Sequence, residues 1–177
     1  MKQKAEKIKL FVMDVDGVLT DAGMYYDNQK NELKKFNTRD AVGLNLLRTA
    51  GIQIAIITQE KTEIMTRRAK KLKITHLLQD IHNKHKALQS LLDQLGLQLD
   101  ETAYIGDDLN DIPVLQQVGL GIAVADAAPQ VKEHSDWVTT RKGGEGAVRE
   151  AAEFILETRG ILKDTIERYI GQLLVSD

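Results

Sequence analysis

The sequence predicts an α/β fold with a doubly wound, mainly parallel sheet. Residues 8–13 and 52–57 are short apolar runs with the length of buried strands. Segments with the apolar spacing of helices lie between such runs. Strands that alternate with helices favour right-handed crossovers, which place parallel strands in one sheet and helices on both of its faces.

The other elements follow in the same alternating order. Three shorter strands are predicted at residues 77–78, 103–105 and 120–124. Helices are predicted at residues 41–50, 61–72, 84–95 and 111–118. The end of the chain, about residues 145–177, is predicted to form a helical tail of two helices.

One segment interrupts this alternation directly after the first strand. Residues 23–36 contain two strand-like pieces around a polar turn at residues 27–31, which predicts a β-hairpin. Because the hairpin follows the first strand, we expect it to project as a flap from the carboxyl edge of the sheet. Ligands of open α/β sheets bind at that edge.

Length and composition exclude several classes of protein. The 177 residues are expected to form one domain, residues 1–177. A net charge of −2 argues against a nucleic-acid partner, and no apolar run is long enough to cross a membrane. The sequence contains no cysteine, which excludes disulfides and thiolate chemistry and leaves the cytoplasm as the expected location.

Two carboxylates follow the first predicted strand. Asp14 and Asp16 are separated by one residue, and Gly17 allows the chain to turn sharply away from the strand. Paired carboxylates repel each other unless a cation neutralises them, and oxygen ligands suit Mg²⁺. Asp14 could then act as a nucleophile and Asp16 as a general acid and base, while a solvated acidic turn is the alternative.

A hydroxyl and a lysine follow later along the chain. Thr58 comes directly after the second long strand and could bind a phosphate oxygen, although it could also cap the next helix. Lys84 begins a predicted helix and could neutralise phosphate charge. An exposed helix lysine is the alternative for Lys84, and Lys86 competes for the same role.

Clustered carboxylates follow the strand at residues 103–105. Asp107 could complete a metal site with Asp14, whereas Asp108 and Asp111 could orient waters or cap the next helix. In a parallel sheet this cluster meets the earlier groups at one edge. Those groups are the pair Asp14 and Asp16, Thr58 and Lys84. Such a combination is typical of phosphoryl transfer through an aspartyl-phosphate.

The four motifs and their order resemble those of the haloacid-dehalogenase-like phosphohydrolases across most of the chain. The resemblance implies that Asp14 is the nucleophile and Asp16 the acid and base, and that Thr58 and Lys84 bind phosphate. It also implies a Mg²⁺ ion held by the side chains of Asp14 and Asp107 and by the backbone carbonyl of Asp16.

The intervals on either side of Thr58 are too short for a full cap domain. The chain therefore resembles the tetrameric capless phosphatases of 3-deoxy-ulosonate biosynthesis, in which hairpins assemble between subunits and neighbouring chains help to close each site. Residues 143–150, GGEGAVRE, match this subfamily strongly. The resemblance implies a homotetramer that acts on a small sugar acid phosphate. The substrate-binding residues that it implies are Asn37, Thr38, Arg39, Asp40, Ala41, Glu60, Arg68 and Lys71.

Two substrates are compatible with this subfamily. One is 3-deoxy-D-manno-octulosonate 8-phosphate (KDO 8-phosphate), a lipopolysaccharide precursor, which is favoured because its phosphatases are more widespread. The other is a nine-carbon nonulosonate 9-phosphate of the sialic-acid type. Octulosonate enzymes usually have Gly-Arg where this chain has Gln59 and Glu60, which favours nine carbons. They also tend to have arginine and glycine where Asn45 and Lys73 stand.

Two rival classes use related residues. A receiver-type signalling domain also combines aspartates, a threonine and a lysine on a doubly wound sheet. Its first acidic pair should be adjacent, unlike Asp14 and Asp16. A non-catalytic subunit of the same fold would not need Asp14, Asp16, Lys84 and Asp107 to be intact.

Overall fold

The computed structural model describes residues 1–175 and confirms the predicted α/β architecture. Short parallel strands alternate with helices along most of the chain. The strands within these residues are β1 (Leu10–Met13), β2 (Tyr25–Tyr26), β3 (Glu32–Leu33), β4 (Gln53–Ile57), β5 (His76–Leu78), β6 (Thr102–Gly106), β7 (Leu120–Ala123) and β8 (Trp137–Val138).

Helices flank the sheet. They are α1 (Lys2–Lys7), α2 (Thr38–Thr49), α3 (Glu63–Lys71), α4 (Lys84–Leu95), α5 (Ile112–Leu115), α6 (Pro129–Glu133), α7 (Ala147–Thr158) and α8 (Leu162–Leu174). Helix α2 packs on α7 and α8, and α1 packs on α7, whereas α4 and α5 contact each other. None of the helices in residues 1–175 is both long and apolar enough to cross a membrane.

The six-stranded main sheet has the order β5-β4-β1-β6-β7-β8, and each neighbouring pair is parallel. From β1 the chain moves outward to β4 and β5, and it then returns to β6 on the other side of β1. The direction of winding therefore reverses between β1 and β6. Open α/β sheets bind their ligands at this switch point, outside the carboxyl ends of the strands.

The apolar residues of β1 and β4 are buried. All four residues of β1 are 0% exposed, and the last four residues of β4 are buried as well. Parallel strands that are covered on both faces read as continuous apolar runs in this way. The packed strands hold the loops that leave their carboxyl ends in fixed positions.

The predicted hairpin is present, and no cap domain interrupts residues 1–175. Strands β2 and β3 form an antiparallel pair that is separate from the main sheet. Asp27 stabilises the turn between them, because its Oδ1 accepts the backbone N–H groups of Gln29 and Asn31 at 2.8 and 2.9 Å. Such side-chain-to-backbone bonds are the reason that aspartate favours turns.

Short elements at the periphery differ from the prediction. Helices α1 and α6 and strand β8 were not predicted, because each is too short to show a period. The first strand begins at Leu10 rather than at residue 8, since Ile8 ends α1. The helix predicted at 111–118 is the single turn α5 after a 3-10 turn, Leu109–Asp111. The predicted tail contains α7 and α8, and residues 176–177 lie outside the described residues.

Candidate active site

The loops after β1, β4 and β6 meet at the carboxyl edge of the sheet. They surround a cavity of about 270 Å³ at the switch point. The residues that line it are Asp14, Asp16, Ala22, Thr58, Gln59, Glu60, Asp107, Asp108 and Asn110. Groups that are far apart in the sequence are therefore close together, as their positions after parallel strands predict.

Lys84 is not among the residues that line this cavity, but it contacts the lining residue Asp14 and joins two of the loops. Its Nζ donates hydrogen bonds to Oδ2 of Asp14 at 2.6 Å and to Oδ1 of Asp111 at 2.7 Å. The Lys84 side chain is 1% exposed. Asn83 caps α4 and places Lys84 in its first turn, whereas Lys86, the competing candidate, is exposed.

Asp111 is the structural centre of the acidic loop. Its Oδ1 also accepts the hydroxyl hydrogen of Tyr104 at 2.6 Å, and its Oδ2 accepts the backbone N–H groups of Asp107 and Asp108 at 2.9 and 3.4 Å. A carboxylate offers about four acceptor sites. With the Lys84 bond included, Asp111 uses four of them, so it orients its neighbours and has little capacity left for a cation.

Burial, together with neighbouring negative charge, raises the pKa values of two carboxyl groups at this site, Asp14 and Asp107. Burial, reinforced by Asp111, raises the pKa of Asp14 to about 7. Burial and the charge of Asp14 raise the pKa of Asp107 to about 8. Burial alone would lower the pKa of Lys84, but Asp14 and Asp111 outweigh it and raise that pKa, which keeps the lysine charged.

The cluster fits a divalent cation. Carboxylate oxygens of Asp14, Asp107 and Asp111 lie within 4.8 Å of one another. Oδ1 of Asp107 is buried and has no hydrogen-bond partner among residues 1–175. Each oxygen of Asp14 accepts one hydrogen bond, from the N–H of Val15 or from Lys84, and so keeps capacity for a metal. Asp14 and Asp107 are therefore the side chains best placed to bind Mg²⁺, a cation that prefers oxygen ligands.

Two glycines allow the loops to approach this closely. Gly17 has a φ of +81°, and a Cβ atom there would lie 2.0 Å from Oδ2 of Asp107. A Cβ atom on Gly143 would lie 1.7 Å from the carbonyl oxygen of Gly17. Residues 143–150, which carry the subfamily resemblance, thus begin in direct contact with the first acidic loop.

Sequence reasoning missed Lys34, which follows β3 in the hairpin. Its Nζ lies 2.7 Å from Oδ1 of Asp16 and 2.7 Å from Oε2 of Glu60. The hairpin therefore contacts the loops after β1 and β4 through one ammonium group. The two-residue period of a strand could have drawn attention to Lys34, since it places Glu32 and Lys34 on the same side.

Some of the predicted substrate-binding residues form a cluster beside the cavity. Asn37 caps α2, and its carbonyl oxygen accepts a hydrogen bond from Nη2 of Arg68 at 3.2 Å. The Arg68 guanidinium lies 5.1 Å from the ring centroid of Phe36. Asp40 is buried and accepts the N–H of Arg149 at 3.0 Å, and burial raises the pKa of Asp40 to about 6.

The remaining predicted residues do not line the cavity. Thr38 and Arg39 are exposed in the first turn of α2, and Ala41 packs against the core. Lys71 is exposed in the last turn of α3, which leads away from the carboxyl edge towards the start of β5. Of the substrate-binding residues that the resemblance implied, Glu60 is the one that lines the cavity among residues 1–175.

Asn45 and Lys73 lie elsewhere in the fold. Both line a cavity of about 390 Å³ between the ends of α2 and α8. Helix α2 ends just before β4 begins, so this cavity is at the amino edge of the sheet. These two positions therefore do not contact a ligand at the carboxylate cavity of the same chain.

The fold and this arrangement of charges define the class of α/β phosphohydrolases. A carboxylate beside a buried lysine and oxygen ligands for a cation suit phosphoryl transfer, which depends on positioning and charge neutralisation. Within that class, the chain belongs to the haloacid dehalogenase-like hydrolase family, whose sequence profile matches residues 26–151. This membership argues against the receiver-type alternative.

Known proteins are similar over nearly the whole chain. The 3-deoxy-D-manno-octulosonate 8-phosphate phosphatase of Escherichia coli (strain K12) is 45% identical over 161 residues, 91% of this chain and 86% of that protein. Its counterpart in Yersinia pestis is 48% identical over 169 residues, 96% of this chain and 88% of that protein. The crystal structure of the Moraxella catarrhalis phosphatase, in complex with a magnesium ion, a phosphate ion and KDO, has a TM-score of 0.91 at 42% identity, with 95% of this chain and 97% of that chain covered.

Proposed function

We propose that the chain is a Mg²⁺-dependent phosphatase that removes the terminal phosphate of KDO 8-phosphate through an aspartyl-phosphate. The contact between Asp14 and Lys84 at the switch point is the observation that carries the proposal. The similarity to phosphatases of KDO 8-phosphate supports the substrate. So does the relative whose crystal structure contains magnesium, phosphate and KDO.

In the first half-reaction an oxygen of Asp14 forms a bond to phosphorus, and the bond between phosphorus and the sugar oxygen breaks. Asp16 gives its proton to the departing sugar oxygen as a general acid. Lys84 has a third N–H beyond its bonds to Asp14 and Asp111, and that donor can bind a phosphate oxygen. Thr58, whose side chain faces the same cavity, can donate its hydroxyl hydrogen to another.

In the second half-reaction Asp16 takes a proton from a water molecule. The water oxygen forms a bond to phosphorus, and the bond between phosphorus and Asp14 breaks. Inorganic phosphate leaves, and the carboxylate of Asp14 is restored. Asp16 thus returns to its protonated form, so the cycle closes without any other reactant.

Mg²⁺, when it is bound by Asp14, Asp107 and the carbonyl of Asp16, supplies positive charge that neutralises the phosphate and the carboxylates. The buried oxygen of Asp107 without a partner supports this assignment. The acidic lining of the cavity also requires it, because a phosphate anion would otherwise be repelled.

A nonulosonate 9-phosphate is the second candidate substrate. Glu60 lines the cavity where octulosonate enzymes usually have an arginine, and its side chain is 41% exposed. A glutamate there can accept hydrogen bonds from sugar hydroxyl groups but repels a sugar carboxylate. A longer polyol chain would offer Glu60 more hydroxyl groups than the eight-carbon substrate does.

The homotetramer belongs to the same proposal. The exposed apolar residues of the hairpin support it, because a two-stranded hairpin with an exposed apolar surface suggests an interface. These residues are Met24, Tyr25, Tyr26 and Leu33. In a tetramer the cluster around Asn37 and Arg68 could reach a neighbour's substrate. The proposed location is the cytoplasm, in keeping with the lack of cysteine.

A comparison of kcat/KM for KDO 8-phosphate and for a nonulosonate 9-phosphate, with and without Mg²⁺, tests the proposal. We expect Mg²⁺-dependent release of phosphate and a higher kcat/KM for KDO 8-phosphate. A higher value for the nine-carbon substrate would transfer the assignment to the second candidate. If neither sugar acid phosphate were hydrolysed faster than a generic aryl phosphate, both assignments would be wrong.

A further inference from the structure

The hairpin lysine Lys34 connects three loops through one ammonium group. Its Nζ donates hydrogen bonds to Asp16, in the loop after β1, and to Glu60, in the loop after β4, both at 2.7 Å. A third carboxylate, that of Glu32 in the hairpin itself, lies 3.7 Å away. The Lys34 side chain is only 2% exposed, whereas those of Asp16 and Glu60 are 32% and 41% exposed.

The bonds to Asp16 leave one of its oxygens available. Lys34 and the hydroxyl of Thr20, at 3.3 Å, both donate to Oδ1 of Asp16. Among residues 1–175, Oδ2 of Asp16 accepts no hydrogen bond. A charge-assisted bond is stronger than a neutral one, so Lys34 does more than Thr20 to fix the rotation of this carboxylate.

We propose that Lys34 is a positioning residue that holds Asp16 by Oδ1 so that Oδ2 faces the departing sugar oxygen. The inference rests on the proposed function, because it takes Asp16 to be the general acid. Lys34 does not itself touch the reacting atoms. Its bond to Glu60 secures the hairpin across the cavity, and the burial of the side chain keeps the ammonium in place.

The position of the proton donor matters only when the leaving group needs a proton. A sugar alkoxide is a poor leaving group and must be protonated as it departs, whereas p-nitrophenolate departs without protonation. The ratio kcat/KM reports the steps up to departure of the leaving group. A comparison of these two substrates therefore separates the alignment of Asp16 from general damage to the site.

The test is Lys34→Met, which keeps an unbranched side chain, one atom shorter, and removes its charge. We expect kcat/KM for the sugar acid phosphate to fall at least about tenfold, because general acid catalysis contributes about 10²–10⁴-fold. We expect kcat/KM for p-nitrophenyl phosphate to fall less than about threefold, since that reaction bypasses the proton transfer. Retained aryl phosphatase activity also shows that the variant is folded.

Two matched variants control the interpretation. Lys35→Met removes a charge from the next residue, whose side chain is 56% exposed, and should leave both substrates unaffected. Glu60→Met removes the other partner of Lys34. Because Glu60 lines the cavity and can contact the sugar, this variant should raise KM for the sugar acid phosphate, whereas Lys34→Met should lower its kcat. If Glu60→Met lowered kcat for the sugar acid phosphate as much as Lys34→Met does, Lys34 would act through Glu60, and the inference would be wrong.

Equal losses on the two substrates, or no loss on either, would also overturn the inference. Failure of the proposed function would look different, because Asp14→Asn would then keep its activity on both substrates. A third outcome is that Asp14→Asn is inactive while Lys34→Met shows no leaving-group dependence. That outcome would reject the role of Lys34 and leave the proposed function intact.

Discussion

The Nζ atom of Lys84 lies 2.6 Å from Oδ2 of Asp14, and their side chains are 1% and 9% exposed. The two residues are far apart in the sequence and reach each other because β1 and α4 both have an end at the carboxyl edge. A buried pair of this kind is costly to break, because the remaining charge has no partner. Lys84 therefore links the stability of the fold to the chemistry of the cavity.

Replacement of Lys84 by methionine tests this link. We expect Lys84→Met to lower the free energy of unfolding of the metal-free protein by about 3–5 kcal/mol, because Asp14 and Asp111 lose their common partner. Loss of a charged group that stabilises the transition state should lower kcat by about 10²–10³-fold. Urea unfolding and steady-state kinetics measure the two effects.

The exposed Lys86 provides the control. Lys86→Met should change the free energy of unfolding by less than about 0.5 kcal/mol, as is usual for surface substitutions. If both lysine variants unfolded at the same urea concentration, the buried ion pair would not have the importance assigned to it.

Gly17 and Gly51 allow a steric effect to be separated from backbone strain. Both have a φ of +81°, but a Cβ atom on Gly51 would meet nothing within 4 Å, whereas one on Gly17 would meet Asp107. The free energy of unfolding of each alanine variant should fall by about 1–2 kcal/mol, because alanine disfavours the left-handed backbone conformation. Only Gly17→Ala should also lose Mg²⁺ affinity, measured by calorimetry. Equal Mg²⁺ affinities for the two variants would argue against close contact between the loop after β1 and the loop after β6.

The raised pKa values predict a dependence of stability on pH. Burial raises the pKa of Asp14 to about 7 and that of Asp107 to about 8, above the usual value of about 4. Between about pH 4 and about pH 8 the folded protein keeps protons on Asp14 and Asp107 that the unfolded chain releases. The free energy of unfolding of the metal-free protein should therefore fall as the pH rises over this range, and level off above about pH 8.

The same protons compete with Mg²⁺ for the carboxylates. Mg²⁺ affinity should therefore increase at least about tenfold between about pH 6 and about pH 8, because at least one proton is displaced. Calorimetry in buffers of different ionisation enthalpy measures both the affinity and the proton release. A Mg²⁺ affinity that does not vary with pH would contradict the assignment of Asp14 and Asp107 as ligands.

Glu60 should influence which sugar acid is preferred. Glu60→Arg places a cation at the cavity, where it can pair with the substrate carboxylate, although the bond to Lys34 is lost. We expect the ratio of kcat/KM for the octulosonate over the nonulosonate to rise about tenfold, since a hydrogen bond to a charged group contributes about 1.5–3 kcal/mol. Gln59→Arg is the matched control at the neighbouring position. An unchanged ratio of kcat/KM in Glu60→Arg would show that Glu60 does not determine which sugar acid phosphate is preferred.

The groups at the carboxyl edge could be predicted from the sequence for one physical reason. Asp14, Thr58 and Asp107 each follow an apolar run, and parallel strands bring such positions together. The alternation of strands and helices also predicted the sheet, because buried parallel strands are recognisable by their composition.

Contacts that depend on three-dimensional packing could not be predicted in this way. Lys34 reaches Asp16 because the hairpin contacts the loops at the carboxyl edge, and the strand period predicts which hairpin residues share a side but not which loops they contact. Tyr104 falls within the predicted strand at residues 103–105, and the strand pattern does not reveal that its hydroxyl bonds to Asp111. The resemblance implied that Lys71 binds substrate, but α3 carries this residue towards the other edge of the sheet.

Trapping of a phosphorylated intermediate shows whether Asp14 attacks the phosphoester. The enzyme with Mg²⁺ and KDO 8-phosphate is quenched in acid within one turnover, and its peptides are analysed by mass spectrometry. We expect a phosphoryl group on the peptide that contains Asp14, and none in Asp14→Asn, which should release no phosphate. A phosphoryl group on another residue, or phosphate release by Asp14→Asn at the wild-type rate, would rule out Asp14 as the nucleophile.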